Sequence, residues 1–268
     1  MQASAAEAAC LSRGVTFTVD GSIAFITLDR PDAYNAIDSR TATGLCAAMS
    51  QIEASDAIRV IVLRGAGKGF CSGGDLAFFA SRGDSLRATV DEMLGEGNRF
   101  LRALRETRKF VLVSVHGAAA GAGLSLVMAG DFCIAAADAL FVPGYAKLGV
   151  SPDLGGTANT VQALGLRRAM RLFFLEERLS AADAERLGIV SKVVEPASLA
   201  EETLKLARSL AAIPPLAAES TKVLLRQAVT TPFAAQLDAE VESFQRCVHT
   251  AATKAALQGF VLKPRPAK

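Results

Sequence analysis

At 268 residues, with 51% hydrophobic side chains and a mean hydropathy of +0.31, the chain can bury the core of one large domain, or one domain with a helical appendage, and is not disordered. A net charge of +2 without any basic block, two Tyr and no Trp argue against a nucleic-acid surface of basic stripes and stacking aromatics. No apolar run approaches the roughly 20 residues of a membrane span, and Met1–Gly14 contains Glu7 and lacks a basic start, so it is not a signal peptide and a soluble cytoplasmic protein is expected.

In chain order, strands are predicted at Val15–Val19 and Ile23–Leu28, flanking Asp20-Gly21, a strong hairpin signal. Asp38 or Ser39 is placed to cap a helix running to about Ala54, with Leu45, Met49 and Ile52 on one face. Val60–Leu63 is a short apolar strand of the kind buried on both faces. A glycine-rich loop, Gly65–Leu76, follows; no Gly-Lys-Ser/Thr closes it, so it makes a poor nucleotide loop. Residues 77–90 read as a mobile polar connection and Met93–Leu104 as an amphipathic helix.

The strand Phe110–Val115 leads into a second glycine-rich stretch, His116–Asp131. Gly117, Gly121 and Gly123 carry no Cβ, which lets backbone approach a ligand closely. Leu124–Ala129 reads as an apolar helix, and a helix start offers unpaired N–H groups and a positive dipole end to an oxygen gathering negative charge. A tight strand-to-helix junction in a buried core explains the same residues equally well. Short strands at Phe132–Ala135 and Leu140–Val142 precede a third loop, Lys147–Thr157. Helices follow at about 158–164, 167–175, 180–186, 198–211, 215–229, 233–248 and 250–258, with Pro214-Pro215 as a break. Strands alternating with helices, then a helical tail, mean an α/β fold with a separate helical region.

Five scattered cysteines, Cys10, Cys46, Cys71, Cys133 and Cys247, form no CxxC pair, so free thiols are expected, with neither a disulfide framework nor a zinc site. The two histidines, His116 and His249, leave almost nothing for a histidine-based triad or metal site.

The loops together resemble those of the crotonase superfamily, the enoyl-CoA hydratase/isomerase proteins. The matching pieces are Arg30–Ile37 (RPDAYNAI), Gly69–Leu76 (GFCSGGDL), His116-Gly117, Gly121–Gly123, Gly130-Asp131 and Gly155–Thr157. The resemblance implies a spiral of ββα units over residues 15–197, a helical trimerisation region over 198–268, and an acyl-CoA thioester substrate with no separate cofactor, since coenzyme A is part of the substrate. It places the backbone N–H groups of an oxyanion hole on Gly74 and Ala122. Two fixed donors suit a thioester carbonyl that becomes enolate-like when its α-proton leaves. The coenzyme A portion would then lie against Ala33, Tyr34, Ser72, Gly73, Asp75 and Leu76, with Phe260 and Lys263 added from the C-terminal helices, in a homotrimer or hexamer.

Fold does not fix reaction, so the acid and base residues are read singly. The two glutamates of the family's hydratases fall on Ser125 and Tyr145, and neither can act as a carboxylate base. Asp153, in KLGVSPDLGGT (147–157), matches the place where the family's enoyl-CoA isomerases and ring-epoxide isomerases carry their acid. One carboxylate suffices to take a proton from C2 and return it at C4, because no water needs activating. Leu148, Val150 and Leu154 are expected to provide apolar surroundings that raise its pKa. Asp153 is equally a favoured helix N-cap. Tyr145 reads as a pocket wall or a hydrogen-bond donor, Ser125 as a small residue that leaves room for substrate, and His116 as a structural strand-end residue. Asn98 stands near where the family's aryl-CoA dehalogenases place a histidine and cannot supply that base. An isomerase is therefore expected, with a hydratase of atypical site or a non-catalytic acyl-CoA-binding homologue as alternatives.

Overall fold

The hairpin forms where Asp20-Gly21 points to it, one residue later in detail. Strand β2 (Val15–Asp20) pairs antiparallel with β3 (Ile23–Leu28), Asp20 opposite Ile23, so the loop residues are Gly21 and Ser22. The computed structural model describes residues 9–12, 14–175 and 178–261, except for the side chains of 9–12, 260 and 261. A short strand β1 (Ala9–Ser12) adds to the open edge of β2. Helix α1 (Ser39–Glu53) starts on Asp38, whose carboxylate accepts from Thr41 N; it buries Leu45, Met49 and Ile52 as their spacing requires.

Strand β4 (Val60–Gly65) shows why four consecutive apolar residues were needed. Val60 and Val62 face one apolar cluster and Ile61 and Leu63 the other, so both faces of the sheet are covered. Beyond it, the expected mobile connection at 77–90 is instead helix α2 (Leu76–Ala80), a 3-10 turn at Gly83–Ser85, and the first turns of α3 (Leu86–Glu106). The apolar stripe of α3 begins only at Met93 and continues through Gly97, Phe100 and Leu104, so its solvated first turns carry no periodic signal.

From β4 onward the chain repeats one plan. A strand enters the large sheet, a short extended piece joins a second sheet, and a helix follows. The first unit is β4, an extended piece at Cys71, then α2 and α3. The second is β5 (Phe110–Val115), β6 (Ala118–Ala120) and α4 (Ala122–Ala129). The third is β7 (Phe132–Ala136), β8 (Leu140–Val142) and α5 (Gly156–Leu164). Like parts stack in parallel: β4 on β5 on β7 in one sheet, and Cys71 on β6 on β8 in the other. Helices α6 (Leu166–Phe174) and α7 (Ala181–Leu187) flank β9 (Leu179–Ser180), which pairs with β8, and β10 (Lys192–Val194) closes the large sheet beside β7. Strands β6, β9 and β10 have two or three residues each, too few for alternation to mark them in sequence.

Helix α8 (Leu199–Ala211) lays Leu199, Ala207 and Leu210 on the face formed by Val60, Val62, Leu112 and Ile134, and Thr203 Oγ1 meets Ser114 Oγ at 2.8 Å. The first compact unit therefore ends at Ala211, not at the expected residue 197, because the first helix of the tail belongs to the sheet's core. The second unit holds α9 (Pro215–Gln227), α10 (Phe233–Val248) and α11 (Ala251–Val261), with Gln236 Nε2 of α10 donating to Leu224 O of α9 at 3.2 Å. Among the described residues no helix is long and apolar enough to cross a membrane, and Cys46, Cys71, Cys133 and Cys247 are free thiols.

Candidate active site

The site lies where the second extended piece of each repeat turns into its helix. In the first repeat that junction is Cys71–Asp75. One edge is laced to residues 34–37: Ser72 N donates to Tyr34 O at 3.0 Å, Ile37 N to Gly73 O at 2.7 Å and Asp75 N to Ile37 O at 2.9 Å. The other edge pairs with β6, Cys71 N donating to Ala118 O at 3.0 Å and Ala120 N to Cys71 O at 2.8 Å. Gly73 has φ +100, and a Cβ there would stand 2.9 Å from Ala120 O and 3.4 Å from Ala122 N, so only glycine lets the two junctions approach this closely.

That approach sets the peptide of Gly74 beside the first turn of α4. Ala122 is the first residue of α4, and the first helical bond is Ser125 N to Gly121 O at 3.1 Å, which leaves the Ala122 N–H ahead of the ladder. Among the described residues no acceptor takes the N–H of Gly74 or of Ala122. Two unused main-chain donors at neighbouring junctions, one of them at a helix's positive end, are what a developing oxyanion requires.

Two residues hold this arrangement that carried no assigned role in the sequence reading. Asn35 is 1% exposed and sits at φ 56. Its Oδ1 accepts from Arg30 N at 2.8 Å, and its Nδ2 donates to Ala66 O and Gly69 O, both at 2.8 Å. It ties the loop before α1 to two carbonyls in the first half of the glycine-rich loop. Replacing it leaves buried backbone groups unpaired, so Asn35→Ala is expected to lower unfolding free energy by about 1–3 kcal/mol, measured by urea titration. Arg30 donates to Ala36 O at 2.6 Å and to Asp75 Oδ2 at 2.8 Å, and lies 3.4 Å from Asp38. Both residues lie in the matching stretch Arg30–Ile37, and asparagine's tolerance of left-handed backbone was a second signal at position 35.

The residues expected along coenzyme A divide accordingly. Tyr34, Ser72 and Leu76 are exposed, Ala33 is half-buried and Gly73 is buried. Asp75 is committed elsewhere: besides the Arg30 ion pair, its Oδ1 accepts from Phe78 N at 2.9 Å and caps α2. Burial alone would raise its carboxyl pKa, but the Phe78 N–H and the Arg30 guanidinium outweigh that and hold it below the usual range. Lys263 lies outside the described residues, and Phe260 is described only as backbone of α11.

The third junction, between β8 and α5, holds the candidate acid, Asp153. Tyr145 Oη donates to Asp153 Oδ1 at 2.6 Å, and Ser125 Oγ lies 3.0 Å from Tyr145 Oη. Tyr145 is therefore more than a wall, and Ser125 is bonded, not an idle small residue. Asp153 does not cap α5: the cap position is Gly155, with no side-chain cap bond. The chain turns sharply instead, with Leu154 at φ 47, an uncommon conformation for a branched side chain, held because Leu154 is 6% exposed. Leu148 and Val150, expected to help enclose the carboxylate, are 56% and 55% exposed. Burial nonetheless pushes the Asp153 pKa up, against the Tyr145 hydrogen bond that pulls it down, and burial raises that of Tyr145 as well. Among the described residues no cation and no second carboxylate contributes to the shift of Asp153.

The remaining candidates stand apart. His116 Nε2 donates to Gly67 O at 2.9 Å, a structural bond across a loop, and Asn98 is exposed on α3. A model of the enoyl-CoA hydratase/isomerase family matches residues 18–267. A 1,2-epoxyphenylacetyl-CoA isomerase from Escherichia coli is 34% identical over 92% of this chain and 95% of its own. A short-chain-enoyl-CoA hydratase from Clostridium acetobutylicum is 30% identical over 91% and 93%. A Thermobifida fusca protein solved in complex with acetoacetyl-CoA superposes with a TM-score of 0.82 at 32% identity, covering 88% of this chain and 94% of that one.

Proposed function

The chain belongs to the enoyl-CoA hydratase/isomerase family, the crotonase superfamily, and from that premise we propose that it is an acyl-CoA isomerase. It moves a double bond from Δ3 to Δ2, or carries out a related ring isomerisation, through a thioester enolate. The substrate carbonyl sits between the Gly74 and Ala122 N–H groups. Asp153 takes the proton from C2, the negative charge gathers on the carbonyl oxygen under the two donors, and the same carboxyl returns the proton at C4 as the double bond shifts. No proton is gained or lost overall, so one carboxyl suffices.

The observation that carries this reading is the state of Asp153: a partly buried carboxylate of raised pKa, free of any capping bond, with no second carboxylate among the described residues acting on it. The places of a hydratase's two glutamates hold Ser125 and Tyr145, which are bonded to each other and, through Tyr145, to Asp153. The isomerase name of the Escherichia coli relative supports the reading. The hydratase name of the Clostridium relative supports the alternative, water addition by an atypical site. The purified protein is expected to convert a 3-enoyl-CoA to the conjugated 2-enoyl-CoA, followed by ultraviolet absorbance, and to exchange deuterium into acyl C2. Hydration of crotonyl-CoA outpacing both would favour the hydratase, and absence of exchange would leave only a binding protein.

For assembly we propose a homotrimer or hexamer. The helical unit of α9–α11 leaves Leu225, Val229, Phe233, Val241 and Phe244 exposed, apolar side chains that contact between subunits would cover.

A further inference from the structure

The three side chains behind the proposed acid form a hydrogen-bond chain whose direction is fixed by chemistry. An ionised carboxylate can only accept, so the hydrogen between Tyr145 and Asp153 belongs to tyrosine. A phenol has one hydrogen, already used, so the 3.0 Å contact with Ser125 runs the other way, the serine donating. The order is Ser125 to Tyr145 to Asp153 Oδ1.

We propose that Tyr145 is a positioning residue for the isomerisation: its hydroxyl occupies Asp153 Oδ1, which makes Oδ2 the oxygen that takes and returns the substrate proton, and Ser125 steadies that hydroxyl from α4. The proposal rests on the isomerase reading of Asp153. Both ends of the chain are anchored where alignment matters. Ser125 lies three residues after Ala122, so it shares the face of the first turn of α4 with the oxyanion donor. A Cβ on Gly156, the first residue of α5, would stand 2.4 Å from Ser125 Oγ, so only glycine there lets α5 pack this closely against the serine hydroxyl. Acid and oxyanion hole are thus held to a common helix turn through two hydrogen bonds, the kind of fixed geometry that proton transfer depends on.

The chain also sets the proton affinity of the acid. Burial disfavours the carboxylate, and a hydrogen bond donated to the charged form restores it. Tyr145 is the titratable side chain that acts on Asp153 from its own loop; α4 contributes the neutral Ser125, and α6 presents Phe173 to the tyrosine ring at 6.4 Å. The tyrosine remains protonated throughout, since both burial and the neighbouring carboxylate oppose its ionisation.

The test is the pH profile of acyl-C2 deuterium exchange and of kcat/KM for wild type, Tyr145→Phe, Ser125→Ala and Asp153→Asn. A base must be ionised, so activity climbs with pH through the pKa of Asp153. Tyr145→Phe keeps the ring and removes the donor; its acid limb is expected to move to higher pH by about one unit, the equivalent of one hydrogen bond to a charged group, with KM within twofold of wild type. Ser125→Ala is expected to move the limb in the same direction by less. A mere wall would change KM or rate and leave the limb in place. An unmoved limb in Tyr145→Phe, with exchange still lost in Asp153→Asn, overturns the positioning role and spares the isomerase reading. Exchange retained in Asp153→Asn overturns both.

Discussion

Asp153→Asn is expected to abolish C2 exchange and double-bond migration while acyl-CoA binding persists. A positioned acid/base is worth about 10²–10⁴ in rate, and in the proposed isomerisation one carboxyl serves both proton transfers, so the loss should reach the upper end of that range. The same variant should melt at or above the wild-type temperature at pH 7. Burial holds the Asp153 pKa above its ordinary value, so the folded chain binds this proton more tightly than the unfolded one. Its contribution to stability is then complete below the ordinary aspartate range and is lost as pH rises through the folded value. Asparagine does not ionise, and its carbonyl oxygen still accepts from Tyr145. The stability difference should therefore close as the pH falls to the acid side of the ordinary aspartate pKa, which calorimetry at pH 7 and at acid pH would show. A variant that is inactive and also markedly less stable at pH 7 would instead make Asp153 a structural residue.

The second large effect is expected at Ala122, through its main chain. Proline removes the N–H and is well tolerated at the first position of a helix, which Ala122 occupies. Ala122→Pro should preserve the helical circular-dichroism signal and lower kcat by about 10²–10³, or about 2.7–4 kcal/mol, the usual cost of deleting one oxyanion donor. Because the ring Cδ takes the place of the amide hydrogen against the carbonyl, affinity for a saturated acyl-CoA, measured calorimetrically, should fall as well. Unchanged turnover would place the enolate oxygen elsewhere.

Much of the fold could be read from local pattern, because its signals are local. The hairpin around Gly21, the Asp38 cap of α1 and the two-faced burial of Val60–Leu63 follow from spacing and turn chemistry, and each is present. Readings failed where an element drew its stability from elsewhere. The start of α3 is solvated and carries no stripe, β6, β9 and β10 are extended only because neighbours pair with them, and α8 reads as tail yet belongs to the sheet.

The candidate site divides along the same line. Its residue types were legible: two glycine-rich junctions able to offer main-chain donors, a lone aspartate in the third loop, and no carboxylate at Ser125 or Tyr145. Sequence alone determined which side chains can carry a proton, since that is a property of the residue. Whether Asp153 caps a helix or faces a tyrosine, which oxygen of its carboxylate is occupied, and why Asn35 and Arg30 matter were decided only by the tertiary structure. Those facts depend on the stacking of three repeats, which brings junctions at residues 71–75, 121–125 and 145–156 side by side, and a hydrogen bond's partner is set by distance in space, not by separation along the chain.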